Sequence, residues 1–212
     1  MKILILGAAG QIGKMLTKDL LSQTDDELVL FARKAAQRLN SDSERVKIVD
    51  GDFTNYDLLV DTMKDVDAIY LNDMNSKEGV AAIAKAMKTS GVTRIILASI
   101  LGIYDEVPGA FGKWNERMVG KTGIENHKKS SALFEIPDFD YTILRLTWLY
   151  NQDGNQNYHL TQKGQPFEGA QVTRQAVSQL LVDILKDDTG KFLKTSLGVS
   201  EPNTNWDKPS FY

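Results

Sequence analysis

Short apolar runs rich in Ile, Leu and Val recur along this chain at Ile3–Leu6, Leu28–Ala32, Val46–Asp50, Ala68–Leu71, Arg94–Ala98 and Tyr141–Arg145. Runs this brief, apolar at consecutive rather than alternate positions, predict strands buried on both faces. Between them, Gln11–Leu21, Tyr56–Met63, Lys77–Thr89 and Gly123–Glu135 carry apolar residues at helical spacing. Strands alternating with helices predict an α/β fold: a Rossmann-type, doubly wound parallel sheet built from two βαβαβ halves with right-handed crossovers. Beyond residue 150 the pattern changes. Gln165–Gly169 reads as a turn, Thr173–Leu185 as an amphipathic helix capped by Thr173, and Glu201–Tyr212 as an aromatic tail with Pro and Asn. These features predict one domain over residues 1–212, with residues 150–212 forming a small covering region on the substrate side.

Composition narrows the function classes. The chain has 212 residues, with 25 Lys+Arg against 28 Asp+Glu and a net charge of −3. The two signs are interspersed, so neither nucleic acid nor an anionic membrane is the expected partner. The absence of cysteine excludes thiolate nucleophiles, and with two histidines no metal site is expected. Met1–Gly7 is too short an apolar run for a signal peptide, and no run is long enough to span a bilayer, so a cytoplasmic protein, monomer or homodimer, is expected.

The sharpest motif is Gly7-Ala8-Ala9-Gly10-Gln11-Ile12-Gly13, which leaves the first strand and enters the first helix. In that context the glycines serve a tight turn, close approach of backbone to a pyrophosphate, and close helix–sheet packing. Gly7, Ala9, Gly10, Gln11, Ile12 and Gly13 are therefore the candidate phosphate cradle, although the spacing is GxxGxxG rather than GxGxxG. The second strand ends Phe31-Ala32-Arg33-Lys34, without the acid that binds the ribose hydroxyls of NAD. Arg33 suits a 2′-phosphate, and NADP(H) is the expected cofactor; the competing reading is a solvated strand end. In Asp50-Gly51-Asp52-Phe53, Asp52 reads either as an acceptor for an adenine amino group, with Phe53 against the base, or as a helix cap.

Taken with Ile95-Ile96-Leu97-Ala98-Ser99 and Asp140-Tyr141-Thr142-Ile143-Leu144-Arg145, these residues make the chain resemble the atypical short-chain dehydrogenase/reductase superfamily. Within it, the resemblance is to the small NmrA-like, NAD(P)H-binding group that includes flavin and biliverdin reductase-like proteins, and it covers nearly the whole chain. It implies that Ser99 lies beside the nicotinamide, that Leu71 and Asn72 lie along the adenosine-side ribose and phosphates, and that Leu146, Thr147 and Trp148 line the substrate pocket.

One part of the family pattern is missing. The Tyr-x-x-x-Lys pair that some members use for proton transfer would fall near Gly123 and His127, and neither residue matches. His127 reads as a substitute acid/base or as an ordinary polar helix residue, and Tyr104 as a proton donor from a mobile loop or as cover for the core edge. Asp105–Met118 reads as a long loop able to act as a lid, with Phe111 and Trp114 suited to a planar acceptor or to packing. Nothing in the chain matches a hydrolase elbow or a nucleoside-triphosphatase loop. Two functions follow. One is an NADP(H)-dependent oxidoreductase acting on a small carbonyl or quinone-like acceptor. The other is a non-catalytic redox sensor that binds the dinucleotide and reports its state. A nucleotide-sugar epimerase or dehydratase fits less well, because the pair is missing and the C-terminal region is short.

Overall fold

The computed structural model describes residues 1–212. Its first half runs β1 (Lys2–Leu6), α1 (Gln11–Gln23), β2 (Glu27–Ala32), α2 (Ala35–Arg38), β3 (Val46–Asp50), α3 (Tyr56–Thr62), β4 (Ala68–Leu71) and α4 (Lys77–Ser90). The second half runs β5 (Arg94–Ile100), α5 (Gly109–Val119), α6 (Lys121–Ala132), β6 (Asp140–Leu146), β7 (Trp148–Tyr150), β8 (His159–Gln162), β9 (Gln171–Thr173), α7 (Arg174–Leu185) and β10 (Thr195–Ser200).

Strand alternation explains why the runs are continuously apolar. Ile3 and Ile5 of β1 enter one core with Leu16 and Leu20 of α1 and Val177, Leu180 and Leu181 of α7. Leu4 and Leu6 enter a second core on the opposite face, with Leu59 of α3 and Val80, Ile83 and Met87 of α4. Successive side chains point to opposite faces, and here both faces are covered by helices, so no polar position is left along the strand. Local chemistry sets the helix ends. Ser76 Oγ accepts from Gly79 N to cap α4, Thr173 Oγ1 accepts from Ala176 N to cap α7, and Asn55 Oδ1 accepts from Leu58 N to cap α3.

The eight-stranded sheet has the order β3-β2-β1-β4-β5-β6-β10-β8, parallel throughout except for antiparallel β8. Chain progression reverses between β1 and β4, and the crevice outside the carboxyl ends of these strands is where such a sheet accepts a ligand. None of the helices is long and apolar enough to cross a membrane.

Two expectations are corrected, and one left open between two readings is decided. Residues 150–212 do more than cover the sheet, because β8 and β10 extend its edge and β9 pairs with β7 in a separate two-stranded sheet. Those strands escaped notice because they are short and polar on one side: Thr195–Ser200 buries Leu197 and Val199 in the α1/α7 core and turns Ser196 and Ser200 to the other face. The long loop over Asp105–Met118 is largely the helix α5, with Pro108 at its N-cap position. Phe111 and Trp114 are packing anchors. Trp114 stacks on Phe111 at 6.1 Å between centroids and meets Trp148 at 4.8 Å and Tyr212 at 5.2 Å, so the C-terminal residue closes an aromatic cluster against α5.

Candidate dinucleotide site

The glycine turn is held by main-chain bonds from Gly7 N and Ala8 N to Phe31 O and from Gly10 N to Gly7 O. Gly7 adopts φ +85°, a conformation that side-chain-bearing residues rarely take. At Gly13 an added Cβ would lie 2.8 Å from Ala8 O and 2.9 Å from Gly7 O, so α1 can seat this close to the turn only with glycine there. No side chain caps α1. The amides of Gln11, Ile12 and Gly13 consequently donate to nothing within the protein, at the positive end of a helix of 13 residues. Orphan donors in that position favour an anion.

On one side of the turn lies a cavity of about 410 Å³ that includes Ala9, Gly10, Arg33, Arg38, Asp52 and Phe53 in its wall. Asp50, which sequence reasoning had left without a role, accepts from Lys34 N and Ala35 N, both at 3.0 Å, and fixes the turn after β2. Both of its oxygens are thereby engaged. The Arg33 side chain is 73% exposed, 3.8 Å from the carboxylate of Asp52, and Arg38 Nη1 donates to Arg33 O at 3.3 Å. Two guanidinium groups therefore border the cavity where one was expected. Asp52 Oδ1 accepts from the backbone and hydroxyl of Thr54, which hold its carboxyl below the usual range. The cap reading of Asp52 is overturned, since Asn55 caps α3. Phe53 packs on Phe31 with centroids 5.9 Å apart.

A second cavity of about 410 Å³ lies on the other side of α1, with Ile12, Asn72, Ser99, His127, Thr147 and Arg174 in its wall. Asn72, Asp73 and Asn75 line both, so the two form one groove across the carboxyl ends of β1, β4, β5 and β6. Asn72 is tied down by Tyr70 OH, which donates to its Oδ1 at 2.9 Å, and by its own bond from Nδ2 to Gly7 O at 3.4 Å. Ser99, 1% exposed, shares a 3.0 Å hydrogen bond with Ser131 Oγ. His127 and Ser131 stand four residues apart on one face of α6, which is how that helix presents both toward β5. His127 Nδ1 is buried without a partner, and burial lowers the imidazole pKa against the opposing pull of Asp73. The ring is therefore neutral near pH 7.

Other candidates lie elsewhere. Tyr104 is outside the groove: its ring carries Lys163 Nζ at 4.2 Å and the Arg145 guanidinium at 5.5 Å. Its hydroxyl is buried beside Ser196 and Glu135 without a well-aligned hydrogen bond, and burial pushes its pKa above the ordinary phenol range. Leu71 points into the core, leaving Asn72 as the wall at the end of β4. Trp148 turns away toward Asn115, to whose Oδ1 its Nε1 donates at 3.0 Å, while Leu146, Thr147 and Leu149 face the groove. No group of three or more His, Asp or Glu side chains is placed to hold a metal. Sequence reasoning missed Arg38, Asp50, Ser131 and Arg174. The first two adjoin Arg33 in sequence or in the sheet; the last two belong to helices whose facing cannot be read from spacing alone.

A family model described as NAD(P)H-binding matches residues 7–188. Among solved structures, the chain is similar to a short-chain dehydrogenase/reductase from Veillonella parvula, at 36% identity and a TM-score of 0.95, covering 100% of this chain and 99% of that one. A structure of a Veillonella parvula short-chain dehydrogenase/reductase in complex with NADP matches at 37% identity and a TM-score of 0.94, covering 99% of each chain. ChuY, an anaerobillin reductase from Escherichia coli, matches at 17% identity and a TM-score of 0.76 over 99% of this chain and 100% of that one, a likeness of fold alone. No curated protein matches.

Proposed function

The chain belongs to the NAD(P)H-binding family of atypical short-chain dehydrogenases/reductases, and from that premise we propose an NADP(H)-dependent oxidoreductase that transfers hydride between the nicotinamide and a small carbonyl or quinone-like acceptor. The observation that carries this reading is the continuous groove: free amides of α1 at its centre, Arg33 and Arg38 at one end, Ser99 and His127 at the other. The NADP complex of the Veillonella parvula relative supports the phosphorylated cofactor. So does the engagement of Asp50 by backbone amides, which leaves two arginines rather than a free acid at the end of β2.

When bound, the cofactor supplies the hydride. The protein supplies position and a proton path. The amides of Gln11, Ile12 and Gly13 meet the phosphates, Arg33 and Arg38 meet the 2′-phosphate, and Phe53 with Asp52 receives the adenine. Asn72 lies along the ribose side. At the other end the apolar side chains of Ile12, Leu146 and Leu149 line the cavity and would exclude water from one flank of a bound nicotinamide. The Ser99 hydroxyl, oriented by Ser131, donates to the acceptor oxygen as charge develops on it, and neutral His127 is the adjoining group able to pass a proton from solvent. Holding an acceptor in register with the hydride donor lowers the entropic part of the barrier.

A second reading, a redox sensor without turnover, is favoured by one observation: neither tyrosine nor lysine lines the groove. Titration of the purified protein with NADPH and NADH, followed by NADPH oxidation against a panel of quinones, flavins and aldehydes, separates the two. Tight NADPH binding with turnover of an acceptor supports the oxidoreductase. Binding without turnover supports the sensor, and no binding overturns both.

A further inference from the structure

Arg174, the first residue of α7, is the sole lysine or arginine in the wall of the Ser99/His127 cavity. It has no carboxylate partner. Its one hydrogen bond runs from Nη1 to Asn151 Oδ1 at 3.1 Å, and Asn151 Nδ2 in turn donates to Gln11 Oε1 at 3.1 Å. Gln11 is the residue with which α1 begins. A partly buried guanidinium is thus tethered, through a single asparagine, beside the orphan amides of the glycine turn.

From this juxtaposition we propose that Arg174 is a phosphate-binding residue: it closes over the nicotinamide-side phosphate of the dinucleotide from the C-terminal part of the chain, opposite the amides of α1. The assignment rests on reading the groove as a dinucleotide site.

Three observations support it. First, a guanidinium that loses solvent without gaining a counter-charge is costly, and burial does lower the Arg174 pKa with no acid opposing the effect. An anion arriving at this point compensates that cost with charge-assisted hydrogen bonds. Second, the acid in the same cavity, Asp73, pulls the His127 pKa upward but forms no ion pair with Arg174, whose own shift has burial as its one cause. Third, the tether runs to Gln11, the residue that opens α1 and carries one of its orphan amides, so the guanidinium is held on the α1 side of the cavity wall. Two segments distant in sequence, the glycine turn and the start of α7, would then grip the same pyrophosphate. Packing of α7 against α1 in the shared core holds the two grips in register.

The test compares wild type with Arg174→Gln and Arg174→Lys by calorimetric titration against NADPH, NADH and adenosine 2′,5′-bisphosphate, which lacks the nicotinamide-side phosphate. Loss of a charge-assisted phosphate contact predicts that Arg174→Gln weakens NADPH and NADH by a similar factor of about 10 to 100, with partial recovery in Arg174→Lys. Adenosine 2′,5′-bisphosphate should bind all three proteins alike. Unchanged NADPH affinity in Arg174→Gln overturns the assignment, including the case where only the KM of an acidic acceptor rises. An equal loss for the adenosine fragment overturns it too, since that pattern belongs to a distorted groove. Failure of the wild type itself to bind NADPH would instead sink the underlying dinucleotide reading.

Discussion

Arg33 and Asp50 divide the work that a single acid performs in a site for the unphosphorylated cofactor. Asp50 spends both oxygens on the amides of Lys34 and Ala35, and the turn so fixed sends Arg33 outward to its long, exposed contact with Asp52. A surface pair of that kind contributes about 0–1 kcal/mol, so little holds Arg33 back from a phosphate. Arg33→Ala is expected to weaken NADPH binding by about 10- to 100-fold while leaving NADH nearly unchanged, as read by fluorescence titration; equal losses for both would refute the 2′-phosphate role. His127 makes a different prediction. Its pKa in the folded protein lies below the ordinary value of 6.5, so between those two values the unfolded chain binds more protons than the folded one. Stability is therefore unaffected well above pH 6.5 and falls as the pH drops through it. In urea unfolding at pH 7.5 and 5.5, wild type should lose more stability on acidification than His127→Gln. Identical losses would show that the ring is not held neutral by its surroundings.

At the scale of elements, the α1 turn and α5 show opposite relations between sequence and structure. The turn was readable because its glycines are required by contact: Gly13 faces backbone atoms of Gly7 and Ala8 that cannot retreat. Gly13→Ala is expected to destabilise the protein by about 1–3 kcal/mol, typical of forced overpacking, and to impair NADPH binding by displacing the α1 amides. Thermal unfolding and titration together check this, and a variant with wild-type Tm and affinity would show that α1 tolerates the shift. For α5 the same residue type misled, because glycine and proline near its start resemble a loop, whereas the helix is held by Phe111, Trp114 and the aromatic residues that converge on them from β7 and the C-terminus. Tertiary packing overrode local propensity there.

For the whole molecule, the ion pair that is buried on both sides is Arg145–Glu106 at 2.7 Å, with side chains 0% and 5% exposed. Arg145 rises from β6 and also donates to Thr161 O and Ser196 O, while Glu106 accepts from Gly102 N and Tyr104 N. One ion pair thus links β6, β8 and β10 to the segment that follows β5. Removing one partner from such a pair costs about 3–5 kcal/mol, because the other charge remains buried. Glu106→Gln is expected to lower stability by that amount in denaturant unfolding, whereas replacing both residues by apolar ones of similar volume should cost less. A loss below about 1 kcal/mol in the single variant would mean that water reaches Arg145 in the folded state.

What the sequence determined by itself was the alternation of elements, the glycine turn and the absence of an acid at the end of β2, since each is written in residues adjacent along the chain. Periodicity could identify β1 to β6 because each carries at least three apolar residues within a short run, continuous in β1, β2 and β4, where both faces are buried. It could not identify β8 and β10, which are apolar on one face only, nor the removal of Tyr104 from the groove by its packing against Arg145 and Lys163. The tertiary structure alone decided that Ser131 reaches Ser99 across 32 positions and that Arg174 reaches the start of α1 through Asn151. Contacts of that kind depend on which faces of α6 and α7 turn toward the sheet, and the whole of the buried core selects that rotation, not the residues of either helix alone.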